Sequence, residues 1–90
     1  MVLTQFSIVK AKPAAKPYKL TDGGGLHLLV RSSGGKLWRF RYRFAGRENM
    51  LALGSFPAVS LASARDRRDE AKKLIAAGTD PADKRKLDKL

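Results

Sequence analysis

Lys36-Leu37-Trp38-Arg39-Phe40-Arg41-Tyr42-Arg43-Phe44 is the stretch on which the fold turns. Side chains on a β-strand alternate between two faces. Trp38, Phe40, Tyr42 and Phe44 then share one face, and Leu37, Arg39, Arg41 and Arg43 share the other. A helix would step the same residues round by 100° and mix aromatics with guanidiniums, so the period-2 reading wins. The aromatic face needs a cover. The arginine face needs water or an anion.

Working outward, Leu26 to Arg31 reads as the preceding strand, with Leu26, Leu28 and Val30 inward and His27, Leu29 and Arg31 outward. Ser32-Ser33-Gly34-Gly35 closes that hairpin. Ala45-Gly46 turns the chain into a third strand, Arg47 to Leu53, with Leu51 and Leu53 inward and Glu48, Met50 and Ala52 outward. Alanine is a poor resident of positive φ, so the expected turn is type I with Gly46 left-handed in a G1 bulge. Gly54-Ser55-Phe56-Pro57 ends the sheet, and Phe56 and Val59 plug its end. Ser60 caps a helix over Leu61–Ala77, with Gly78 just past its end and Pro81 beyond. Its apolar face runs through Leu61, Ala64, Ala71, Leu74 and Ile75, and the stem of Arg68 lines the edge. Arg65–Asp69 and Asp69–Lys73 have i,i+4 spacing and read as weak pairs on a solvated face.

On the N-terminal side, Thr4 caps a short helix from Gln5 to about Ala11, which Pro13 stops. Lys12–Lys19, with two prolines and three lysines, reads as an extended arm held down by Tyr18 and Leu20. Asp22-Gly23-Gly24-Gly25 reads as a tight turn in which glycine supplies positive φ. A phosphate-loop reading fails there, since no Gly-Lys-Ser/Thr ending follows and no βαβ unit surrounds it. Asp83–Leu90 reads as a charged tail leading into a further segment of a longer protein. The expected fold is α+β: a three-stranded antiparallel sheet packed on one C-terminal α-helix, with an extended or short-helical N-terminal arm. The division is an arm over residues 1–22, a sheet-plus-helix domain over 23–82, and a linker over 83–90.

The 90 residues carry 19 basic and 8 acidic side chains, a net charge of +11. Such a one-sign excess points to a polyanion partner rather than to solubility alone. The first 59 residues hold ten of the basic groups and only Asp22 and Glu48 against them. There is no cysteine, which removes disulfides and thiolate metal sites and suits a reducing cytoplasm. No apolar run nears the roughly 20 residues of a membrane helix, and no helix sets a basic face against a bulky apolar one. A membrane partner is not expected. The lone His27 has no nucleophile partner or metal-ligand spacing, and no paired carboxylates stand apart from the helix and tail. Neither an enzyme nor a cofactor is expected of this stretch.

The helix claims the aromatic face, which leaves the arginines bare. Arg39, Arg41 and Arg43 span about 13 Å on a strand, against a B-DNA major groove about 12 Å wide that admits a β-ribbon. Guanidinium binds phosphate as a fork or guanine bidentately. The candidate DNA-binding set is His27, Arg31, Lys36, Arg39, Arg41, Arg43, Arg47 and Asn49, although Asn49 shares the parity of Leu51. The alternatives are an RNA-binding or protein-interaction module using the same basic face. Single-stranded RNA platforms expose aromatics for stacking, whereas these aromatics are needed for the core, so duplex DNA is favoured.

An ordered series of short motifs adds to this reading: Lys16-Pro17-Tyr18-Lys19-Leu20-Thr21-Asp22-Gly23-Gly24-Gly25-Leu26, the Lys36–Phe44 strand, Leu53-Gly54-Ser55-Phe56-Pro57, Ser60-Leu61-Ala62-Ser63-Ala64-Arg65 and Gly78-Thr79-Asp80-Pro81. Over about residues 4 to 82 the chain resembles the N-terminal arm-type DNA-binding domain of phage and genomic-island integrases of the tyrosine recombinase family. The resemblance implies sequence-specific binding of double-stranded arm-type attachment sites through a sheet in the major groove. It also implies a parent that performs prophage DNA integration and recombination in the bacterial cytoplasm, at the nucleoid, with contacts to other integrase protomers. Core-binding and catalytic domains would lie outside this stretch, and Tyr18 and Tyr42 match arm-domain positions rather than the tyrosine nucleophile. Ala45, where a turn-forming residue such as Asn is common, and Arg68, where a small residue is usual, depart from the family pattern.

Overall fold

The alternation in Lys36–Phe44 becomes strand β3, and the computed structural model, which describes residues 3–88, builds the rest of the chain around it. Trp38, Phe40 and Tyr42 are buried on one face, while Arg41 and Arg43 are exposed on the other. Around β3 come helix α1 (Gln5–Lys10), strands β1 (Tyr18–Gly23), β2 (Leu26–Val30) and β4 (Arg47–Phe56), and helices α2 (Leu61–Ala76) and α3 (Pro81–Asp88). All neighbouring strands are antiparallel, in the order β1-β2-β3-β4.

The sheet therefore has four strands, not the three expected. Much of the supposed arm is strand β1, which pairs Tyr18 with Val30, Leu20 with Leu28 and Thr21 with His27. Tyr18 and Leu20 join the inner face and cover β2, and Lys19 and Thr21 join the outer one. Strand β4 also outruns its expected end at Leu53. A bulge between the Trp38–Gly54 and Arg39–Ala52 pairs absorbs Leu53, and pairing continues to Phe56. The extra residue shifts the pleat by one, so that Gly54 and Phe56 follow the buried Leu51 and Leu53 onto the inner side while the strand bends.

Two caps fix α2. The Ser60 side chain accepts from the Ser63 amide at 3.2 Å. At the far end the Gly78 amide donates to the Ile75 carbonyl and the Thr79 amide to the Leu74 carbonyl, a Schellman closure. Leu61, Ala64 and Ala71 are buried against the sheet, and two of these three are alanines, so the helix approaches the aromatic layer closely. Trp38, with no exposed surface, donates its indole N–H to the Val59 carbonyl at 2.7 Å. Phe40 and Tyr42 stack with ring centroids 5.4 Å apart. Thr4 caps α1 as expected, in a capping box with Ser7, and the helix ends at Lys10. Ile8 plugs the core, while Phe6 and Val9 stay exposed.

Helix α3 replaces most of the expected charged tail; residues 89 and 90 lie outside the described residues. Asp80 starts it by accepting from the Ala82 amide, and Pro81 at the first helical position lacks only a donor that would go unused. The Tyr42 hydroxyl donates to the same Asp80 carboxylate, which joins α3 to the inner face of β3. Burial, then the Asp80 hydrogen bond, pushes the Tyr42 phenol up to about 12. Arg67 donates to the Leu53 carbonyl and Arg85 to the Ala52 carbonyl, so both helices close off backbone acceptors on edge strand β4.

The buried Asp22 carboxylate is a knot that pairing at helical spacing did not foresee. It accepts from the Leu3 amide at 2.7 Å, from Arg65 Nη2 at 2.8 Å and Nε at 3.1 Å, and from Arg68 Nη1 at 3.2 Å. Arg65 turns to Asp22 instead of Asp69, and Arg68 crosses to β1 instead of lining the core edge. The Arg65 hydrogen bonds, outweighing burial, hold the Asp22 carboxyl below the usual carboxylate range. A carboxyl with a depressed folded pKa adds stability above its unfolded pKa of about 3.9, and that stability is lost as pH falls through the folded value. Urea stability should therefore decline on acidification below about pH 4. Asp22→Asn should cost about 2–3 kcal/mol at pH 7 and flatten that decline. The cost falls under the usual range for a broken buried pair because Arg65 and Arg68 keep access to water.

The β3–β4 turn differs from expectation. Ala45 has φ 52° and Gly46 φ 77°, positive at both central residues as in a type I′ turn, and Phe44 pairs directly with Arg47. The strand twist dictates this turn over the preference of alanine, whose Cβ opposes the left-handed region at roughly 1–2 kcal/mol. Ala45→Asn, a residue that tolerates this conformation, should raise stability by about 0.5–1 kcal/mol in a denaturation curve.

Candidate nucleic-acid interface

The outer face is assembled by register. One row across the sheet is Thr21, His27, Arg39 and Ala52; the next toward the β2–β3 turn is Lys19, Leu29, Leu37 and Ser55. In the other direction Arg41 faces Met50, and Arg43 faces Glu48. No helix covers these rows, because α2 packs on the aromatic side. Arg39, Arg41 and Arg43 therefore lie along one line on the central part of the sheet. Among the described residues no carboxylate lies within 4 Å of these three guanidiniums. Arg39 Nη1 lies 3.7 Å from the Met50 sulfur, a weak acceptor that holds the stem while the charge stays available.

Gly25 sets the edge of this face. Its carbonyl accepts from the Arg41 amide at 2.8 Å, and a Cβ there would come within 2.3 Å of the Arg41 carbonyl oxygen. With φ at 91° as well, only glycine lets the β1–β2 turn lie against β3. The glycine run is thus a turn with positive φ, as expected from its composition.

Of the eight residues expected at the interface, the structure gathers His27, Arg39, Arg41 and Arg43 on the outer face. Arg31 lies one position past β2 in the β2–β3 turn and is exposed. Lys36, Arg47 and Asn49 lie elsewhere. Lys36 has the parity of Trp38; its ammonium donates to the Ile8 carbonyl at 2.8 Å and sits over the Phe56 ring, so it anchors α1. Arg47 pairs with Phe44 and Asn49 with Tyr42, which puts both on the helix side of the sheet, beside Asp80 and Asp83. Asn49 Oδ1 accepts from the Met50 amide. Conversely, Lys19 on β1 is exposed on the arginine side and was not in the expected set. The alternation of Tyr18 and Leu20 with Lys19 and Thr21 is its signal, hidden behind Pro13 and Pro17.

His27 keeps the outward parity expected of it but is not open to solvent. It is only 6% exposed. Burial first, then Lys19, holds its imidazole below the ordinary histidine range. Among the described residues no group of three or more His, Asp or Glu is placed to hold a metal ion. No helix among them is long and apolar enough to cross a membrane.

Comparison with known proteins gives the same direction. The profile of the arm DNA-binding domain family matches residues 3–88. The chain is 49% identical over 83 residues to the integrase of Enterobacteria phage P4, covering 90% of this chain and 19% of that protein. It is 45% identical over 85 residues to the integrase of Shigella phage Sf6 and, equally, to the prophage integrase IntS of Escherichia coli strain K12, covering 94% of this chain and 22% of each. The chain spans about a fifth of the length of these relatives. With a family profile matched from end to end of the described residues, the chain belongs to the arm DNA-binding domain family of integrases.

Proposed function

We propose that this domain binds duplex DNA by laying the outer face of its sheet in the major groove, with Lys19, Arg39, Arg41 and Arg43 on phosphates and base edges. The observation that carries the reading is the line of three uncompensated guanidiniums on the uncovered face of a rigid sheet. The about 13 Å they span matches the groove. The relatives are named integrases and the family is an arm DNA-binding domain; with that support the proposal extends to arm-type attachment DNA and to a domain that positions an integrase during site-specific recombination in the bacterial cytoplasm, alongside other protomers. The recombinase chemistry belongs to parts of the parent protein outside this stretch. In this reading the DNA-binding unit begins with strand β1 at Tyr18, and the segment before it is the arm. The RNA alternative loses its stacking platform, since Trp38, Phe40 and Tyr42 are buried.

A salt titration tests the reading. Duplex affinity should fall linearly on a log–log plot with a slope of about −0.9 for each phosphate contacted. With three or four basic groups engaged, the slope should lie between about −2.7 and −3.6. An affinity that stays flat from low to moderate salt would exclude phosphate contact as the basis of binding.

A further inference from the structure

The outer face consists mainly of cationic donors, with one exception at its β1–β2 end. His27 lies in that face, yet it is more than nine-tenths buried. Its Nε2 has no hydrogen-bond partner among the described residues. Native folds leave few such atoms unpaired. With Lys19, Thr21, Gly25, Leu26 and Arg41, His27 lines an open pocket of about 160 Å³. That is several times the roughly 30 Å³ share of a water molecule, enough for a phosphate group with water beside it. Nε2 itself has essentially no exposed surface, so a phosphate in the pocket reaches it only as the lining side chains of Lys19 and Arg41 swing onto the phosphate and uncover the ring.

We propose that this pocket is a seat for one backbone phosphate of duplex DNA, held by Lys19, Thr21, Arg41 and a protonated His27 Nε2–H. The inference rests on the DNA-facing reading of the sheet and adds to it a specific contact and a proton. The proposal assigns the neutral ring of the free protein to the Nδ1–H tautomer, in which Nε2 is a lone pair that repels a phosphate oxygen. On binding, one proton is taken from solvent to Nε2, and the new N–H donates to the phosphate. Burial and the positive charges of Lys19, Arg39 and Arg41 keep the free ring neutral, with the Gly25 backbone partly opposing them. A phosphate offsets those charges and supplies an acceptor, so the complex binds a proton that the free protein does not.

Proton uptake means that binding tightens as pH falls. The groups facing the ring are Lys19 and Thr21 from β1 and Arg39 and Arg41 from β3; Ala52 of β4, in the same row, is uncharged. Lysine and arginine do not titrate between about pH 6 and pH 8. The chain has one histidine and no cysteine, so a side-chain proton in that window belongs to His27. The competing contact is a base edge. An unprotonated Nε2 would accept from the amino group of adenine or cytosine, and binding would then weaken as pH falls.

The test measures affinity of the 90-residue chain for an attachment-region duplex from about pH 6 to pH 8 at fixed salt, for wild type and His27→Gln. In parallel, the His27 ring resonances are titrated in free and DNA-bound wild-type protein. The expected result is an affinity that rises about three- to tenfold per pH unit on acidification, a ring protonation midpoint that moves up in the complex, and a flat profile for His27→Gln. If that variant does not fold, the wild-type ring titration decides alone. Salt-sensitive duplex binding that is independent of pH, or tighter at high pH, with the ring midpoint unmoved, overturns the phosphate seat and leaves the DNA face standing. Absence of salt-sensitive duplex binding overturns both.

Discussion

Trp38→Ala should remove about 3–5 kcal/mol of stability, the cost of deleting a large buried aromatic from a packed core. The indole has no exposed surface and its N–H donates to the Val59 carbonyl. Truncation leaves a cavity between β3, the segment before α2 and the helix, and it strands a carbonyl. Domains of this size hold only about 5–13 kcal/mol in total, so the variant should be substantially destabilised in urea and its melting point should fall by well over ten degrees. Trp38→Phe separates the two contributions. It keeps most of the volume, loses the hydrogen bond and should cost about 1–3 kcal/mol. A Trp38→Ala protein with a wild-type melting point would mean that the aromatic face is not the core.

The opposite face should behave in the opposite way. Converting Arg39, Arg41 and Arg43 together to alanine should change stability by no more than about 1 kcal/mol, as expected of surface substitutions. Duplex affinity at low salt should fall by about 10²–10³, from the loss of charge-assisted hydrogen bonds at up to three sites. The log–log salt slope should shrink by up to about 2.7, three times the increment per phosphate. Loss of affinity without a change in slope would mark the arginines as base readers instead of phosphate contacts. Glu48 stands opposite Arg43 in register without reaching ion-pair distance, so Glu48→Gln should move affinity the other way, by less than the arginine losses.

Strand β3 was legible because the seven residues Trp38–Phe44 alternate without a break, and α2 because Ser60 and Gly78 mark its ends chemically. Both are local signals. Strand β1 was not legible in the same sense. Its six residues follow a proline, and the alternation becomes a strand only when β2 offers a free edge. The Asp22 knot joins residues more than 40 positions apart, and local helix spacing offered Arg65 a nearer partner in Asp69. The turn at Ala45-Gly46 shows backbone twist overriding residue preference.

Parity alone placed Arg39, Arg41 and Arg43 on the outer face. The same rule already separates Lys36 from them, since an even-numbered residue on β3 sits with Trp38. Grouping Lys36, Arg47 and Asn49 with the arginines followed charge and proximity in sequence where the pleat decides. The recess at His27 was beyond reach, because its walls come from β1, the β1–β2 turn and β3.

The central claim is that the uncovered sheet face meets the DNA. The most direct measurement is an NMR titration of the labelled domain with duplex from the attachment region, following backbone amides and arginine side chains. The account predicts shifts concentrated at Lys19, Thr21, His27, Arg39, Arg41, Arg43 and Met50. Shifts confined to α2 and α3, with the β3 arginines unchanged, would contradict it.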